Sequence, residues 1–513
     1  MQKLCTALML PALVCAQGTI YEQSAAFIQS GQPAKAVALL EPRLHEAPRD
    51  LKAMTLVGMA YSAENQRESA NRYFRQALEA NPAYAPALKN LAINELAIGD
   101  AAKAQTHFEA LLKLTPADPI AHLALADIDF AAKRYASAVA HYERSENLYL
   151  REPPSLIRFA QACVGVRQPA KAAAALAHMP PDADSAQHFA AGSVLAGIRE
   201  YAAAAREFEL ARGGDPGAYD AGFNLTLAYL NSGQYDAAVR SGRELLSQGF
   251  RKPELFNVLA QAYEKQGKTG DAYEALRTAA NLEPKDPSNY LDLIALCVTH
   301  KNFDLALEIA GVGVERLPDS GQLHLQRGIA FAMKEQFEDA RREFETAVKL
   351  APGSSLGYVA LGLMLLQMDQ PADAVALLRK RARTSGDYLT LWFLGESLNR
   401  AGLAEGSAEE QEAIDALSRS VALDGGVAQP RILLAKLLAR RGRLDLAEKH
   451  LSRALQLEPD NVSATYQLAQ VYQKKGDSAR ARQLFAKVSK AKAEEREQLT
   501  RGGLRQILTE GAR

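Results

Sequence analysis

One alanine returns through this chain at a nearly fixed interval. Ala36, Ala70, Ala104, Ala138 and Ala172 stand 34 residues apart, and the column continues as Ala204, Ala238, Ala272, Ala306, Ala340, Ala374, Ala413, Ala447 and Ala481. Fourteen units in this register begin near residues 17, 51, 85, 119, 153, 185, 219, 253, 287, 321, 355, 388, 428 and 462, with two short steps and one lengthened by six. A period of this length overrides the division into three globular domains that 513 residues would otherwise suggest, because each repeat is one supersecondary unit that covers its apolar face only by stacking on its neighbours.

Other columns keep the same beat. Four residues after the alanine the side chain is large: Leu40, Phe74, Phe108, Tyr142, Leu176, Phe208, Leu276, Phe344, Leu378, Leu417, Leu451 and Phe485, with Gly242 and Ala310 as exceptions. Four residues is one helical turn, so the pair shares a face. Earlier in each unit a second small column holds Gly58, Ala92, Ala126, Ala160, Gly192, Ala260, Gly328, Gly362, Gly395, Ala435 and Ala469. Small residues on two facing helices let the backbones approach, and the large side chain one turn away fills the space beside that contact. Between the halves stand Gly31, Gly99, Gly233, Gly267, Gly402, Gly442 and Gly476, with Asn65 in the same role, where the chain must reverse through positive φ. Pro48, Pro82, Pro116, Pro216, Pro284, Pro318, Pro352 and Pro459 end the second helix. The fold expected is all-α, an array of about fourteen helical hairpins.

These coinciding columns resemble the tetratricopeptide-repeat (TPR) family over residues 17–495. The resemblance implies an alpha-alpha superhelix, a TPR solenoid whose first helices line a concave groove, and a role in holding other proteins without catalysis. The units near 153, 287, 355 and 388 depart most from the pattern. Met179-Pro180-Pro181-Asp182 ends one unit early and is a candidate hinge between an N-terminal part, 17–184, and a C-terminal part, 185–495. The insertion around Gly406-Ser407-Ala408-Glu409-Glu410 puts the continuity of the stack in doubt. Residues 496–513, polar and broken at Gly502-Gly503, suit the cap that an end repeat requires; a C-terminal capping helix is expected.

Residues 1–16 read as a cleavable signal: Lys3, the apolar run Leu4 to Ala16, and Val14-Cys15-Ala16 before Gln17. Thirteen residues are too few for a bilayer, which needs about 20. The expectation is a cut at Ala16-Gln17 and a periplasmic or secreted protein; a lipoprotein at Cys15 is less favoured because Val14 stands where such signals carry a small residue. No later stretch reads as a membrane span. Of four cysteines, Cys163 and Cys297 would remain, too few for a disulfide scaffold, and both occupy the column of Tyr61, Tyr229, Tyr263 and Tyr472 inside the repeat core. Buried free thiols are expected.

Chemistry is sparse. Sixty Lys and Arg balance sixty Asp and Glu, so no charge excess points to nucleic acid. Ala262-Tyr263-Glu264-Lys265-Gln266-Gly267-Lys268-Thr269 meets the loose form of a phosphate-binding loop, but Gly267 is the hairpin-turn glycine and a helix, not a strand, precedes it. His107, His141 and His450 share one column without ligand-spaced carboxylates or cysteines, and read as surface or half-buried histidines. Arg379-Lys380-Arg381-Ala382-Arg383 and Arg440-Arg441-Gly442-Arg443 close helices and read as solvated faces. Lys89, Asn90 and Asn224 only echo the groove residues with which some TPR relatives bind peptide carboxylates. No catalytic, metal, nucleotide or cofactor site is assigned, and the chain reads as no enzyme.

What remains is apolar surface. Ser355 to Met368 holds no charged residue, and Phe223, Leu227 and Leu230 form one stripe. Phe189, Phe223, Trp392 and Tyr466 fall in one column that the resemblance places on the concave face. A helix apolar all round must be covered on every side, and exposed apolar strips mark interaction sites. The candidate groove is Phe189, Phe223, Leu227, Leu230, Trp392 and Tyr466, taking an apolar or amphipathic segment of a partner protein; compaction or self-association is the alternative cover. The expected role is a scaffold of an envelope, secretion or surface-polysaccharide assembly, or alternatively a non-catalytic substrate-presenting or regulatory subunit of an envelope enzyme, such as a glycan-modifying one.

Overall fold

The computed structural model describes residues 19–212 and 218–510. The signal stretch, its Ala16-Gln17 cut, Cys15 and Pro216 lie outside them. Among the described residues the chain forms 28 α-helices and one 3-10 turn, and the helices pair as the expected hairpins.

Contacts group the chain into two compact units, one reaching Arg251 and including Gln261–Gly267, the other made of Lys252–Ala260 and Lys268 onward. The first pairs α1 (Ile20–Gln29) with α2 (Pro33–Glu46), α3 (Leu51–Ala63) with α4 (Arg67–Ala80), α5 (Ala85–Ala97) with α6 (Ala101–Leu114), and α7 (Pro119–Ala131) with α8 (Tyr135–Glu143). It continues with α9 (Pro153–Gly165) and α10 (Pro169–Leu176), α11 (Ser185–Gly197) and α12 (Tyr201–Ala211), α13 (Ala218–Asn231) and α14 (Tyr235–Ser247). The residues of α15 (Pro253–Lys265) divide between the units. The second unit holds α16 (Thr269–Leu282), then α17 (Pro287–Thr299) with α18 (Phe303–Arg316), α19 (Gly321–Met333) with α20 (Phe337–Leu350), and α21 (Ser355–Gln367) with α22 (Pro371–Thr384). It ends with α23 (Tyr388–Arg400) and α24 (Ala408–Leu423), α25 (Gln429–Arg440) and α26 (Leu444–Leu457), α27 (Val462–Lys474) and α28 (Ser478–Glu510).

The columns find their physical cause here. Every member of the alanine column is buried, thirteen at 0% exposure and Ala481 at 3%. A Cβ on Gly58 would lie 2.5 Å from the Phe74 ring, on Gly192 2.8 Å from Phe208, and on Gly328 2.5 Å from Phe344. The small residue of the first helix is thus the seat of the large residue of the second. Each hairpin reverses through positive φ, but only eight of the turns carry the expected Gly or Asn. Lys133, Arg167, Arg199, Lys301, Glu335 and Asp369 stand in the same place with φ between 57° and 66°. Glycine is not required at these turns: one residue in this conformation costs about 1–2 kcal/mol, small beside the apolar burial that closes the hairpin around it.

Side chains pack across both irregular turns, and the last helix is continuous. One buried cluster holds Ala172 and Leu176 before Pro180-Pro181 and Ala191, Leu195 and Ala204 after them, so packing runs through that turn. Likewise Leu391 and Leu394 before the Gly406 insertion share a cluster with Leu417, Leu434 and Leu451 after it. The insertion therefore does not interrupt the stack. α28 runs on through Gly502-Gly503 without a break. Where α8 stops short after nine residues, the 3-10 turn Leu148–Arg151 brings Tyr149 against Tyr142 and Phe159, with ring centroids 5.8 and 4.4 Å away, and fills the missing turn.

Candidate partner-binding surface

First helices of successive hairpins pack in a row, α17 on α19, α19 on α21 and α21 on α23. Neighbours cover much of each such helix. In α21 they bury Gly357, Val359, Leu361, Gly362, Met364, Leu365 and Leu366, leaving Leu356 and Leu363 exposed at 55% and 41%. Seven residues apart, these two share one face. Met333 at the end of α19 is 55% exposed. The surplus of apolar surface in the uncharged stretch Ser355 to Met368 is therefore concrete: two leucines that the described chain covers only in part.

The six residues expected to line one groove fall in two groups. Phe189, Phe223, Leu227 and Leu230 belong to the first unit and are half-buried. Phe189 packs on Phe208, centroids 5.6 Å apart, and Phe223 stacks on Tyr219 at 5.5 Å. Trp392 and Tyr466 belong to the second unit. Trp392 stacks on Phe393 at 4.7 Å against the core, whereas Tyr466 is 43% exposed with its ring 5.7 Å from Phe485. Much of the aromatic column thus serves its own hairpins. Leu356, Leu363 and Met333 are more accessible than any of the six except Tyr466, and the charge-free stretch was the signal that pointed to the first two.

The polar residues mostly tie the repeats together. Arg379 makes two hydrogen bonds to Glu412, at 2.8 and 2.7 Å. Arg381 is buried, donates to the carbonyls of Pro352 and Gly353, and lies over the Tyr358 ring. Glu410, wholly buried, takes Arg441 at 2.6 Å, Arg440, and the Gly406 N–H. Burial alone would raise its pKa, but the hydrogen bonds from Arg441, Gly406 and Arg440 outweigh it and hold the carboxyl at about 2. Arg379, Arg381, Arg440 and Arg441 are therefore built into the packing, each finding an acceptor across a repeat boundary, whereas Lys380, Arg383 and Arg443 are exposed as a solvated face would have them. Lys89 pairs with Asp118, Asn90 donates to the Pro86 carbonyl and Asn224 to that of Asp220.

A second polar pattern escaped the sequence reading. His122, His188 and His324 hold equivalent places on α7, α11 and α19, and each meets the residue nineteen positions on in its partner helix: His141 at 2.9 Å, Glu207 at 2.7 Å and Glu343 at 2.8 Å. His107 likewise meets buried Glu95 at 2.7 Å. His107 and His141 are half-buried as expected, but as cross-ties of the hairpin. Only the paired column, read at a separation of nineteen, could have revealed this. Among the described residues no group of three or more His, Cys, Asp or Glu is placed to hold a metal, and α15 precedes Gly267, whose φ of 72° is that of a turn. No helix among them is long and apolar enough to cross a membrane. Cys163 and Cys297 are free and buried.

Between α25 and α27 a cleft of about 240 Å³ is lined by Lys436, Arg440, Gln467, Gln470 and Lys474 over an apolar floor that includes Leu451 and Val471. No carboxylate is among its lining residues.

Profiles described as Tetratricopeptide repeat match residues 51–84, 89–153, 253–286, 325–387 and 439–500. Among curated proteins, the BBSome complex member BBS4 of Bos taurus is 23% identical over 144 residues, 28% of each chain. Protein O-mannosyl-transferase TMTC1 of Mus musculus is 28% identical over 156 residues, 30% of this chain and 16% of that one. The chain spans under a third of the length of these relatives. Among solved structures, yeast Tom70 aligns over 90% of this chain and 96% of its own at 16% identity and a TM-score of 0.39. A chain of the APC/C hetero-tetramer Cut9-Hcn1 aligns over 88% of this chain and 96% of its own at 11% identity and a TM-score of 0.37.

Proposed function

We propose, on the premise that this chain is a tetratricopeptide-repeat protein and a protein–protein interaction scaffold, that it is exported and grips an apolar or amphipathic segment of a partner in an envelope, secretion or surface-polysaccharide assembly. The observation that carries the gripping is the uncovered apolar face of α19 and α21, where Met333, Leu356 and Leu363 are exposed beside a row of first helices. Exposed apolar patches are costly in water and mark contact surfaces. An amphipathic helix or an extended segment would cover this one. Export rests on the sequence of residues 1–16.

The test pairs two measurements. Capture of a partner from envelope extract is compared between the wild type and Leu356→Lys/Leu363→Lys, with helical circular dichroism as the folding control. The partner is expected to be lost from the variant, and its retention would remove this face from the reading. The purified protein is expected to begin at Gln17; an intact Met1 on cytoplasmic protein would defeat export.

A second reading, a non-catalytic substrate-presenting or regulatory subunit of an envelope enzyme such as a glycan-modifying one, draws support from the stretch similar to a protein named as an O-mannosyl-transferase. Co-purification with a glycan-modifying enzyme, rather than with structural components, separates the two.

A further inference from the structure

Within the second unit, the apolar face and the cleft between α25 and α27 differ in charge. Met333, Leu356 and Leu363 are exposed with no charged residue from Ser355 to Met368. The cleft carries three cations and two amides and no carboxylate. Arg440 shares the single carboxylate of buried Glu410 with Arg441. Lys436 and Lys474 have no carboxylate partner among the described residues, and Lys474 reaches only the Ala439 carbonyl, at 3.3 Å. Both lysines are exposed, and their two uncompensated ammonium groups give the mouth of this concavity a positive potential. The side-chain oxygen of Gln467 is buried there without a hydrogen-bond partner, a position that a main-chain N–H of an incoming segment would satisfy. Between face and cleft stands α23, which packs on α21 and shares its core cluster with α25.

We infer, resting on the scaffold reading above, that the partner segment is bipartite: apolar side chains that cover Met333, Leu356 and Leu363, continued at one end by Asp or Glu side chains that enter the cleft at Lys436 and Lys474. Carboxylates fit better than phosphates. The guanidinium that would grip a phosphate bidentately, Arg440, is engaged by Glu410, and what remains are two point charges and amides. The apolar face, separated from the cleft by α23, suits a polypeptide long enough to reach both.

The test is selection of a random peptide library displayed on phage against the full chain, followed by fluorescence anisotropy of the strongest peptide made synthetically. Enriched sequences are expected to join an apolar block to a run of Asp or Glu at a constant end. Lys436→Glu/Lys474→Glu should weaken that peptide about tenfold or more with unchanged circular dichroism, and in a fresh selection should enrich Lys or Arg in place of the acids. Enrichment without acidic bias, or the same peptides selected by the charge-reversed variant, overturns the bipartite partner and leaves the scaffold reading standing. Peptides that bind Leu356→Lys/Leu363→Lys as tightly as the wild type, or no enrichment at all, overturn both.

Discussion

A single methyl group decides the packing where Gly328 faces Phe344. Its Cβ would stand 2.5 Å from the ring, and the ring is walled in, being 3% exposed. Two effects oppose each other in Gly328→Ala: a better helix former gains about 1 kcal/mol, while overpacking costs about 1–3 kcal/mol. The clash should win, because an enclosed aromatic cannot rotate aside. Gly311, in mid-α18 with nothing within 4 Å of its Cβ position, has only the gain. Gly328→Ala should therefore destabilise by about 1 kcal/mol and Gly311→Ala stabilise by about 1 kcal/mol, measured as opposite shifts of the urea midpoint. The alanine and glycine columns were legible because they recur. The turn residues Lys301, Glu335 and Asp369 were not, because nothing in their side chains announces positive φ; the helices on either side impose it.

Among the elements, α24 is fastened by a buried charge. Glu410 lies in its first turn, accepts from Gly406, Arg440 and Arg441, and so fastens the insertion and the end of α25 to one carboxylate. Its folded pKa, about 2, lies below the ordinary 4.5. A group with a depressed folded pKa contributes stability that is present above its unfolded pKa and is lost as pH falls through the folded value. That contribution should therefore fade between about pH 4.5 and pH 2. Glu410→Gln should remove it at every pH and cost on the order of 2 kcal/mol at pH 7, less than the roughly 3–5 kcal/mol of a pair buried on both sides, because Arg440 and Arg441 still reach solvent. Thermal melts of both proteins from pH 7 to pH 2 check this: the gap should close toward acid, and a gap independent of pH would show that Glu410 is not ionised in the fold. The basic residues of this node were visible in sequence, but a run of arginines at a helix end looks the same whether it faces water or a buried acid thirty residues away.

For the whole molecule, the two thiols that remain after residue 17 report on the two units separately, Cys163 on the first and Cys297 on the second. Burial pushes the Cys163 thiol up to about 11 and raises that of Cys297 as well. The thiolate is the reactive form, so at pH 8 both are suppressed twice over, by access and by protonation. A chain beginning at Gln17 should show neither thiol reacting rapidly with a disulfide reagent in the native state and both reacting in denaturant. Because repeats contact mainly their neighbours, opening of each unit should be readable from its own cysteine at intermediate urea. Fast native labelling of Cys163 would mean that the hairpin of α9 and α10 is not closed.

The sequence by itself determined the helical hairpin, its number and its register, since steric fit between a small and a large side chain recurs every 34 residues and needs only local information. It also located the uncharged stretch of α21. Tertiary structure decided which of its apolar residues stay exposed, because exposure is set by the neighbouring helices and not by the residue's own pattern. It decided too that the stack passes through Pro180-Pro181 and the Gly406 insertion, where buried side chains from both flanks meet in common clusters. And it decided which cations remain free: Arg381, Arg440 and Arg441 are consumed by acceptors far away in the chain, while Lys436 and Lys474 are left facing a cleft, a distinction that depends on distance in space and is invisible along the sequence.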